Sequence, residues 1–239
     1  QVAAGLEQLL HCHPNRHVWR RMLVGMYSLL ERFDTAVNMA AELEARVDLD
    51  PVRRTEYRET LVETLRESGR RDEAIARLQA WAKEDAEGGE WTQRLAFEFV
   101  RQRKYEDAVR TYESLIAMAP DNKAVRDRLL DSLLETRQYV RAEQYIVQWF
   151  AEDPQNDRLV LALAQVLSRA GRVEEALDLI NTWLTRTTRR EPYQNLLVSV
   201  LASAGRHDEC AQLLEELADE VMTIIRSGGD SSRLPPPEQ

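Results

Sequence analysis

Three of the four histidines in the chain lie near its start, beside a cysteine. His11, Cys12, His13 and His17 fall within seven residues, and imidazole with thiolate is a ligand set that suits zinc. Ligands at adjacent positions cannot all converge on one ion, and the first three directly precede Pro14, in a stretch typical of the loop after a helix. We therefore predict no metal site here and no cofactor for the chain.

A histidine, a carboxylate and a thiol are also neighbours near the other end, at His207, Asp208 and Cys210. These are residue types used in nucleophilic catalysis. Cys210 is expected to point into a helix crossing, where a thiol in apolar surroundings is unreactive. The sequence also lacks a glycine-rich phosphate loop, a His-Glu-x-x-His motif and a Gly-x-Ser-x-Gly motif. The chain is therefore predicted not to be an enzyme.

Composition narrows the class of partner. The 239 residues include 32 basic and 41 acidic side chains, a net charge of −9, which argues against binding to a nucleic-acid backbone. No uncharged apolar run approaches about 18 residues, so no membrane span is predicted, and no secretory signal is expected. With Cys12 and Cys210 as its two thiols, the composition favours a reducing compartment such as the cytoplasm without fixing it.

Small residues recur along the chain with a constant period. A spacing of 34 residues separates successive members of the series Ala74, Ala108, Ala142, Ala176 and Cys210, and Ala36 precedes the first by 38. Three apolar columns keep the same register at i, i+4 and i+8, as in Trp91, Leu95 and Phe99, and this spacing marks one stripe of a helix. Helices that cross closely need a small residue at the crossing, where leucine would overpack by about 1–3 kcal/mol.

Each period also contains two breaks. The first follows the apolar columns, with a glycine suited to a left-handed helix end at Gly69, Gly171 and Gly205 and an arginine instead at Arg103 and Arg137. A second helix is predicted to begin at Phe33, Tyr105, Tyr139 and Val173. The second break includes Pro120 or Pro154, which cannot continue a helix. Each unit therefore reads as helix, tight turn, helix, loop.

This pattern resembles the tetratricopeptide repeat. The clearest copies are 89–122, with Leu95, Ala96, Phe99, Tyr105, Ala108, Tyr112 and Pro120, and 157–190, with Leu163, Ala164, Leu167, Gly171, Ala176 and Ile180. The resemblance implies an all-α, right-handed superhelical solenoid of stacked antiparallel helix pairs, with about six full units. One departure is tryptophan where the family commonly has alanine, at Trp81, Trp149 and Trp183; we interpret this stripe as core.

The two ends differ from the repeats. Residues 1–16 read as the second half of a truncated repeat, residues 17–226 as the repeat domain and residues 227–239 as a flexible proline-rich tail, so the chain is expected to be a fragment of a longer protein. The last helix keeps apolar residues at Val221, Ile224 and Ile225. These are expected to finish the packing of the last repeat, or alternatively to form an interface with another chain.

The resemblance implies binding of a protein or peptide on the concave face formed by the first helices, with no nucleic-acid or membrane partner. The residues predicted to contact the partner are Arg94, Phe97, Arg101, Arg128, Asp131, Gln165 and Arg169. Phe97 could instead pack on a neighbouring helix. The predicted function is a non-enzymatic scaffold or adaptor; the alternatives are an assembly element, or a regulatory arm of an enzyme whose catalytic domain lies elsewhere. RNA-reading helical repeats are disfavoured by the net charge.

Overall fold

The computed structural model describes residues 17–46, 50–84 and 89–226, with side chains to Thr223, together with Gly5 and Gln8. These residues contain twelve α-helices and no strand. The helices are α1 His17–Leu29, α2 Phe33–Glu44, α3 Pro51–Glu67, α4 Arg71–Glu84, α5 Glu90–Arg101, α6 Tyr105–Met118, α7 Lys123–Glu135, α8 Tyr139–Glu152, α9 Asp157–Arg169, α10 Val173–Leu184, α11 Glu191–Ser203 and α12 His207–Arg226.

The predicted all-α class of repeated helix pairs is confirmed within this part of the chain. The second helices begin at Phe33, Tyr105, Tyr139 and Val173, as the apolar period predicts. The chain divides into two compact units, residues 1–132 and 133–239, with the boundary inside α7. The two terminal segments, 1–16 apart from Gly5 and Gln8, and 227–239, lie outside the described residues. Among the described residues, no helix is both long and apolar enough to cross a membrane.

Small residues occupy the helix crossings. Ala36, Ala74 and Ala108 in the first unit, and Ala142 and Ala176 in the second, have no exposed surface. No Cβ-branched or longer side chain would fit there without displacing a neighbouring helix. The sequence prediction for these positions is therefore confirmed.

Cys210, the last member of the small-residue series, is only half-buried. Its Sγ lies 3.8 Å from the carbonyl oxygen of Val198 on α11. The expectation of a buried thiol is wrong in degree, because no later helix pair packs over α12 within the described residues.

Every helix pair closes through the same three-residue turn. The backbone N–H of the third turn residue donates to the carbonyl of the last apolar column, as Arg70 does to Leu65 at 2.9 Å, which satisfies a carbonyl that the helix end would leave unpaired. The middle residue is left-handed, with φ of 76° at Gly69. Where glycine is missing, Glu31, Arg103 and Arg137 adopt the same conformation, each with φ of 57°.

The tryptophan stripe is largely core. Trp81 and Trp149 are buried, whereas Trp183 is half-buried. Trp81 packs edge-on against Trp91 with ring centroids 5.1 Å apart, and Trp183 packs edge-on against Phe150 at 6.3 Å. These rings replace the small side chains expected there and fill the space between successive helix pairs.

Candidate functional site

The first unit contains a groove bounded by the first helices of three repeats, α3, α5 and α7, with side chains of α4 and α6 at its base. We call it the Arg128 groove. It encloses about 580 Å³. Its lining residues are Glu59, Val62, Glu63, Arg66, Leu78, Glu90, Trp91, Gln93, Arg94, Phe97, Tyr112, Val125 and Arg128.

The base of the groove is an aromatic and cationic stack. Trp91 is buried, and its ring has the guanidinium carbons of Arg58 and Arg94 at 5.4 and 5.1 Å from its centroid. Arg58 also covers Trp81 at 4.9 Å and pairs with Glu44 at 3.3 Å. Cation–π contacts of this kind strengthen when water is excluded, so the stack stabilises the packing of Trp91, which lines the groove.

The two predicted groove arginines differ in how they are paired. Arg94 Nη2 lies 2.5 Å from a Glu59 oxygen and 3.0 Å from a Glu90 oxygen, so its charge is already balanced inside the protein. Arg128 is exposed and forms no ion pair within 4 Å among the described residues. A guanidinium without a carboxylate partner is available to an incoming anion.

Arg128 also influences the buried phenol at the base of the groove. Burial raises the pKa of Tyr112, Arg128 opposes that rise and Asp131 adds to it. The phenol is therefore neutral at physiological pH and presents an O–H group and an aromatic face rather than a charge.

Phe97 provides the apolar contact surface of the groove. Its side chain is 45% exposed although it lies on the same helix as the buried Trp91 and Leu95. It therefore faces the groove rather than being enclosed by a neighbouring helix. An exposed aromatic ring beside a guanidinium is a common composition for an interface hot spot.

The other predicted partner-binding residues are distributed differently. Arg101 and Asp131 are exposed in the first unit but do not line the groove. Gln165 and Arg169 belong to α9 in the second unit, and both are exposed. Arg169 pairs with Glu135 at 3.3 Å. The structure therefore brings Arg94, Phe97 and Arg128 together, and the remaining four stay predictions.

A column of buried polar residues was missed by the sequence analysis. Thr64, Glu98 and Ser132 are all buried, and they are 34 residues apart. The hydroxyls of Thr64 and Ser132 donate to carbonyls one turn earlier in their own helices. Glu98 accepts from Gln102 at 3.0 Å and lies 3.3 Å from Arg66 Nε. The repeat register was the signal that could have revealed them.

A second groove, also missed, lies on α1 and the turn that follows it. We call it the methionine groove. It encloses about 710 Å³ and is lined by Met22, Gly25, Met26, Ser28, Leu29, Glu31, Phe33 and Glu67. The signal was present in the sequence, because the partner-facing positions of this repeat include Val18, Met22 and Leu29, which are apolar.

The residues weighed for metal binding and catalysis do not form a described site. His11, Cys12 and His13 lie outside the described residues, and His17 is half-buried with its ring 6.1 Å from Tyr57. In the part of the chain that the structure describes, no group of three His, Cys, Asp or Glu residues could hold a metal ion. His207 and Asp208 are exposed on the first turn of α12.

The apolar end of α12 is described only in part. Val221 is 46% exposed, whereas the side chains of Ile224 and Ile225 lie outside the described residues. Leu214 and Met222 on the same helix are also about half exposed. One of the two expectations was that these residues finish the packing of the last repeat. Val221 does not do so, because about half of its surface remains exposed.

Comparison with known proteins identifies the repeat. Two sequence models of the tetratricopeptide repeat match residues 94–157 and 133–200. The chain carries tetratricopeptide repeats. A model of the PPR repeat matches residues 195–220, which cover parts of α11 and α12. No curated protein matches the chain.

Solved structures show the same fold at low sequence identity. A tetratricopeptide repeat protein from Parabacteroides merdae ATCC 43184 is 13% identical over 90% of this chain and 79% of its own, with a TM-score of 0.58. A chain of the Naa15/Naa10 structure bound to HypK-THB is 18% identical over 90% of this chain, with a TM-score of 0.57. The present chain spans only 33% of that chain. A MamA structure is 13% identical over 72% of this chain and 94% of its own, with a TM-score of 0.51.

Repeats of this family generally mediate protein–protein interaction, and stacked helix pairs present the extended surfaces on which partners bind. That general role applies to this chain. The identities above are too low to carry a partner or a finer activity from one protein to another.

Proposed function

We propose that the chain is a non-enzymatic protein- or peptide-binding scaffold whose partner binds in the Arg128 groove. The observation that carries the proposal is an unpaired guanidinium, Arg128, in the same groove as an exposed aromatic ring, Phe97. The groove is large enough for several side chains of a partner. Binding, rather than bond-making, is the work that such a surface performs.

The expected partner segment has an acidic residue and an apolar residue. The carboxylate binds Arg128, because a guanidinium forms two parallel hydrogen bonds to a carboxylate. The apolar side chain packs on Phe97 and excludes water from that contact. Arg94 contributes less, since a partner carboxylate would have to displace Glu59 or Glu90 from it.

The test is selection of binding peptides followed by titration against variants. Peptides from a random display library are selected on the purified chain, and their affinities are measured for Arg128→Glu and Phe97→Ala. Each variant is expected to weaken binding roughly tenfold or more. Arg54→Glu is the matched control, because Arg54 is exposed on α3 but does not line the groove. Peptides that bind both groove variants as tightly as the unaltered chain would exclude the groove.

A second candidate is self-association through α12. Leu214, Val221 and Met222 are each 45–49% exposed along this helix, and exposed apolar side chains on one helix favour contact with another chain. Sedimentation velocity over a range of concentrations tests it. Association that Val221→Glu abolishes would support assembly, and a single concentration-independent species would exclude it.

The match to the PPR repeat suggests RNA as an alternative partner. PPR repeats read RNA at about one base per helical repeat, so sequence reading needs several consecutive repeats, whereas the match covers residues 195–220 alone. The net charge of −9 also opposes contact with a phosphate backbone. We infer a protein partner, and binding of single-stranded RNA at physiological salt would contradict that inference.

A further inference from the structure

The methionine groove differs from its surroundings in the amount of apolar surface that it leaves exposed. Leu29 is 80% exposed, Met22 is 54% exposed and Val18, on the same helix, is 64% exposed. With Gly25 they follow the spacing i, i+4, i+7 and i+11, so they lie along one face of α1. A contiguous apolar face of this kind is typical of a contact site.

The side chains in the groove suit a partner helix rather than one fixed small molecule. Met22 and Met26 have flexible, polarisable thioethers that adapt to differently shaped apolar surfaces. Gly25 lies between them on α1, and a Cβ there would meet nothing within 4 Å. The groove is therefore shallow and open at its centre, which lets an apolar side chain of another helix approach the α1 backbone.

The rim of the groove carries two unbalanced negative charges. Glu31 and Glu67 line it, both are exposed, and neither forms an ion pair within 4 Å among the described residues. Other carboxylates of α3 are paired, as Glu63 is with Arg66 at 3.0 Å and Glu59 is with Arg94 at 2.5 Å. The two carboxylates on the rim are therefore available to pair with cationic side chains of a partner.

Glu31 is also held in an unfavourable backbone conformation. It has φ of 57° at the turn position where three other repeats have glycine, at Gly69, Gly171 and Gly205. A left-handed conformation costs free energy for any residue with a Cβ. Arg103 and Arg137 hold the same conformation in other repeats, so what distinguishes this turn is that it places a carboxylate in the lining of the methionine groove.

We propose that the methionine groove binds one amphipathic helix of a partner protein, with an apolar face and flanking lysine or arginine residues. The apolar face packs on Met22, Met26 and Leu29, as in other helix-in-groove complexes. The basic residues pair with Glu31 and Glu67, so the partner helix must carry positive charge.

Segments of this same chain do not match that chemistry. Residues 1–16 contain one acidic and one basic residue, Glu7 and Arg16, so they offer no basic flank. Helix α12 of a second copy is amphipathic but carries six carboxylates and one arginine. Charge complementarity therefore favours a different, basic partner.

The probe is a fluorescein-labelled peptide of about 18 residues, roughly five helical turns, with leucines on one helical face and lysines on the other. A matched peptide replaces every lysine by glutamate. Fluorescence anisotropy with the full chain, at about 0.15 M salt, should show the basic peptide binding roughly tenfold or more tightly than the acidic one. Equal affinity for the two peptides, or no binding of the basic one, would overturn the proposal.

Variants of the rim separate binding from folding. Glu31→Gly together with Glu67→Gln should weaken the basic peptide roughly tenfold, while the melting temperature stays the same or rises, because glycine relieves the strained turn. Arg103→Gly makes the same backbone change in another repeat and should leave the affinity unchanged. Glu215→Gln with Glu216→Gln makes the same change of net charge on α12; an equal loss of affinity there would overturn the proposal.

The site is also distinguished from the Arg128 groove. Arg128→Glu should not weaken the basic peptide, and Leu29→Ser should weaken it through lost apolar contact. A loss on Arg128→Glu, or none on Leu29→Ser, would place the peptide elsewhere and overturn the assignment. The function proposed for the Arg128 groove does not depend on either result.

Discussion

Helices α1 and α5 occupy the same place in their repeats but present opposite chemistry to a partner. Met22 and Leu29 of α1 stand 72 residues before Arg94 and Arg101 of α5, at equivalent positions. Their buried faces agree, since both helices pack a leucine and then an aromatic residue into the core. The comparison teaches that one set of positions specifies the fold, and that another set is left free to differ between repeats.

The difference between the two grooves depends on which charges remain unpaired. In the Arg128 groove, glutamates on α3 and α5 neutralise Arg94, and Arg128 is left over. In the methionine groove, Glu31 and Glu67 are left over and the remaining lining residues, apart from Ser28, are apolar. Paired surface charges contribute little to either stability or binding, so the sign of the unpaired group decides which partner each groove accepts.

The largest expected effect concerns the base of the Arg128 groove. Arg58→Ala should lower the free energy of unfolding by about 3 kcal/mol, because the side chain is 11% exposed and its loss leaves Glu44, 12% exposed, without its partner. Trp91 and Trp81 would lose their cation–π contact as well. Urea denaturation measures the change.

The equivalent arginine of α1 is the control for that experiment. Arg20 precedes Arg58 by 38 residues, is half-buried and forms no ion pair among the described residues. Arg20→Ala should therefore cost less than about 1 kcal/mol. Similar losses of unfolding free energy in Arg58→Ala and Arg20→Ala would mean that the buried ion pair of Arg58 does not stabilise its repeat more than the unpaired Arg20 stabilises the first one.

The next largest effect is expected when exposed residues of α1 are replaced by those at the equivalent positions of α5. Met22→Arg with Leu29→Arg should weaken the leucine–lysine peptide by roughly tenfold, about 1.4 kcal/mol, and change the free energy of unfolding by less than about 0.5 kcal/mol, since both side chains are exposed. Anisotropy titration and urea denaturation measure the two quantities.

The reverse conversion supplies the check. Arg94→Met leaves Glu59 and Glu90 without their cation, which makes the Arg128 groove more apolar and more acidic. This variant should gain affinity for the basic peptide. If neither conversion alters peptide binding, the unpaired charges do not select the partner and the contrast between the grooves fails.

The repeat and its turns could be predicted from the sequence because packing imposes them at a fixed period. A small residue appears at the same position of every repeat, and the apolar columns keep the same register, so the period is not a chance coincidence. Pairing of charges has no such period. Arg94 and Arg128 look alike in the sequence, and only the rotamers and the neighbouring helix decide that Glu59 reaches the first and not the second.

The exposure of Met22 and Leu29 and the burial of Glu98 could not be predicted from residue type either. Met22 and Leu29 have apolar side chains, which are usually found in a core, but they are exposed. Glu98 has a charged side chain, which is usually found at the surface, but it is buried. Residue type alone predicts the opposite in each case. Their repeat positions give the correct answer, because Thr64 and Ser132 mark the position of Glu98 as buried and polar.

A smaller effect is expected at the turns. Arg103→Gly and Arg137→Gly should each raise the free energy of unfolding by about 1 kcal/mol, because each arginine holds φ of 57°. Gly69→Ala should lower it by a similar amount, through the backbone alone, since an added Cβ would meet nothing within 4 Å. Thermal and urea denaturation test both signs. Unchanged stability in all three variants would remove strain from the explanation of Glu31.

The smallest effect concerns an ion pair that the first repeat lacks. The third turn residues Arg70 and Arg206 each pair with a glutamate three residues on, Glu73 and Glu209, whereas the equivalent Arg32 is followed by Thr35 at that distance. Thr35→Glu should therefore raise the melting temperature by about 1 °C at pH 7, the scale of an exposed pair.

The pH dependence of the melting temperature distinguishes a new ion pair from other causes of stabilisation. Hydrogen bonds from the arginines hold the pKa values of Glu73 and Glu209 below their ordinary range. A carboxylate of this kind stabilises the fold above its unfolded pKa, about 4.3, and the contribution disappears as the pH falls through the lower folded value. The gain from Thr35→Glu should follow the same course and should not occur with Thr35→Gln. A gain that persists at pH 2 would come from helix propensity instead of the ion pair.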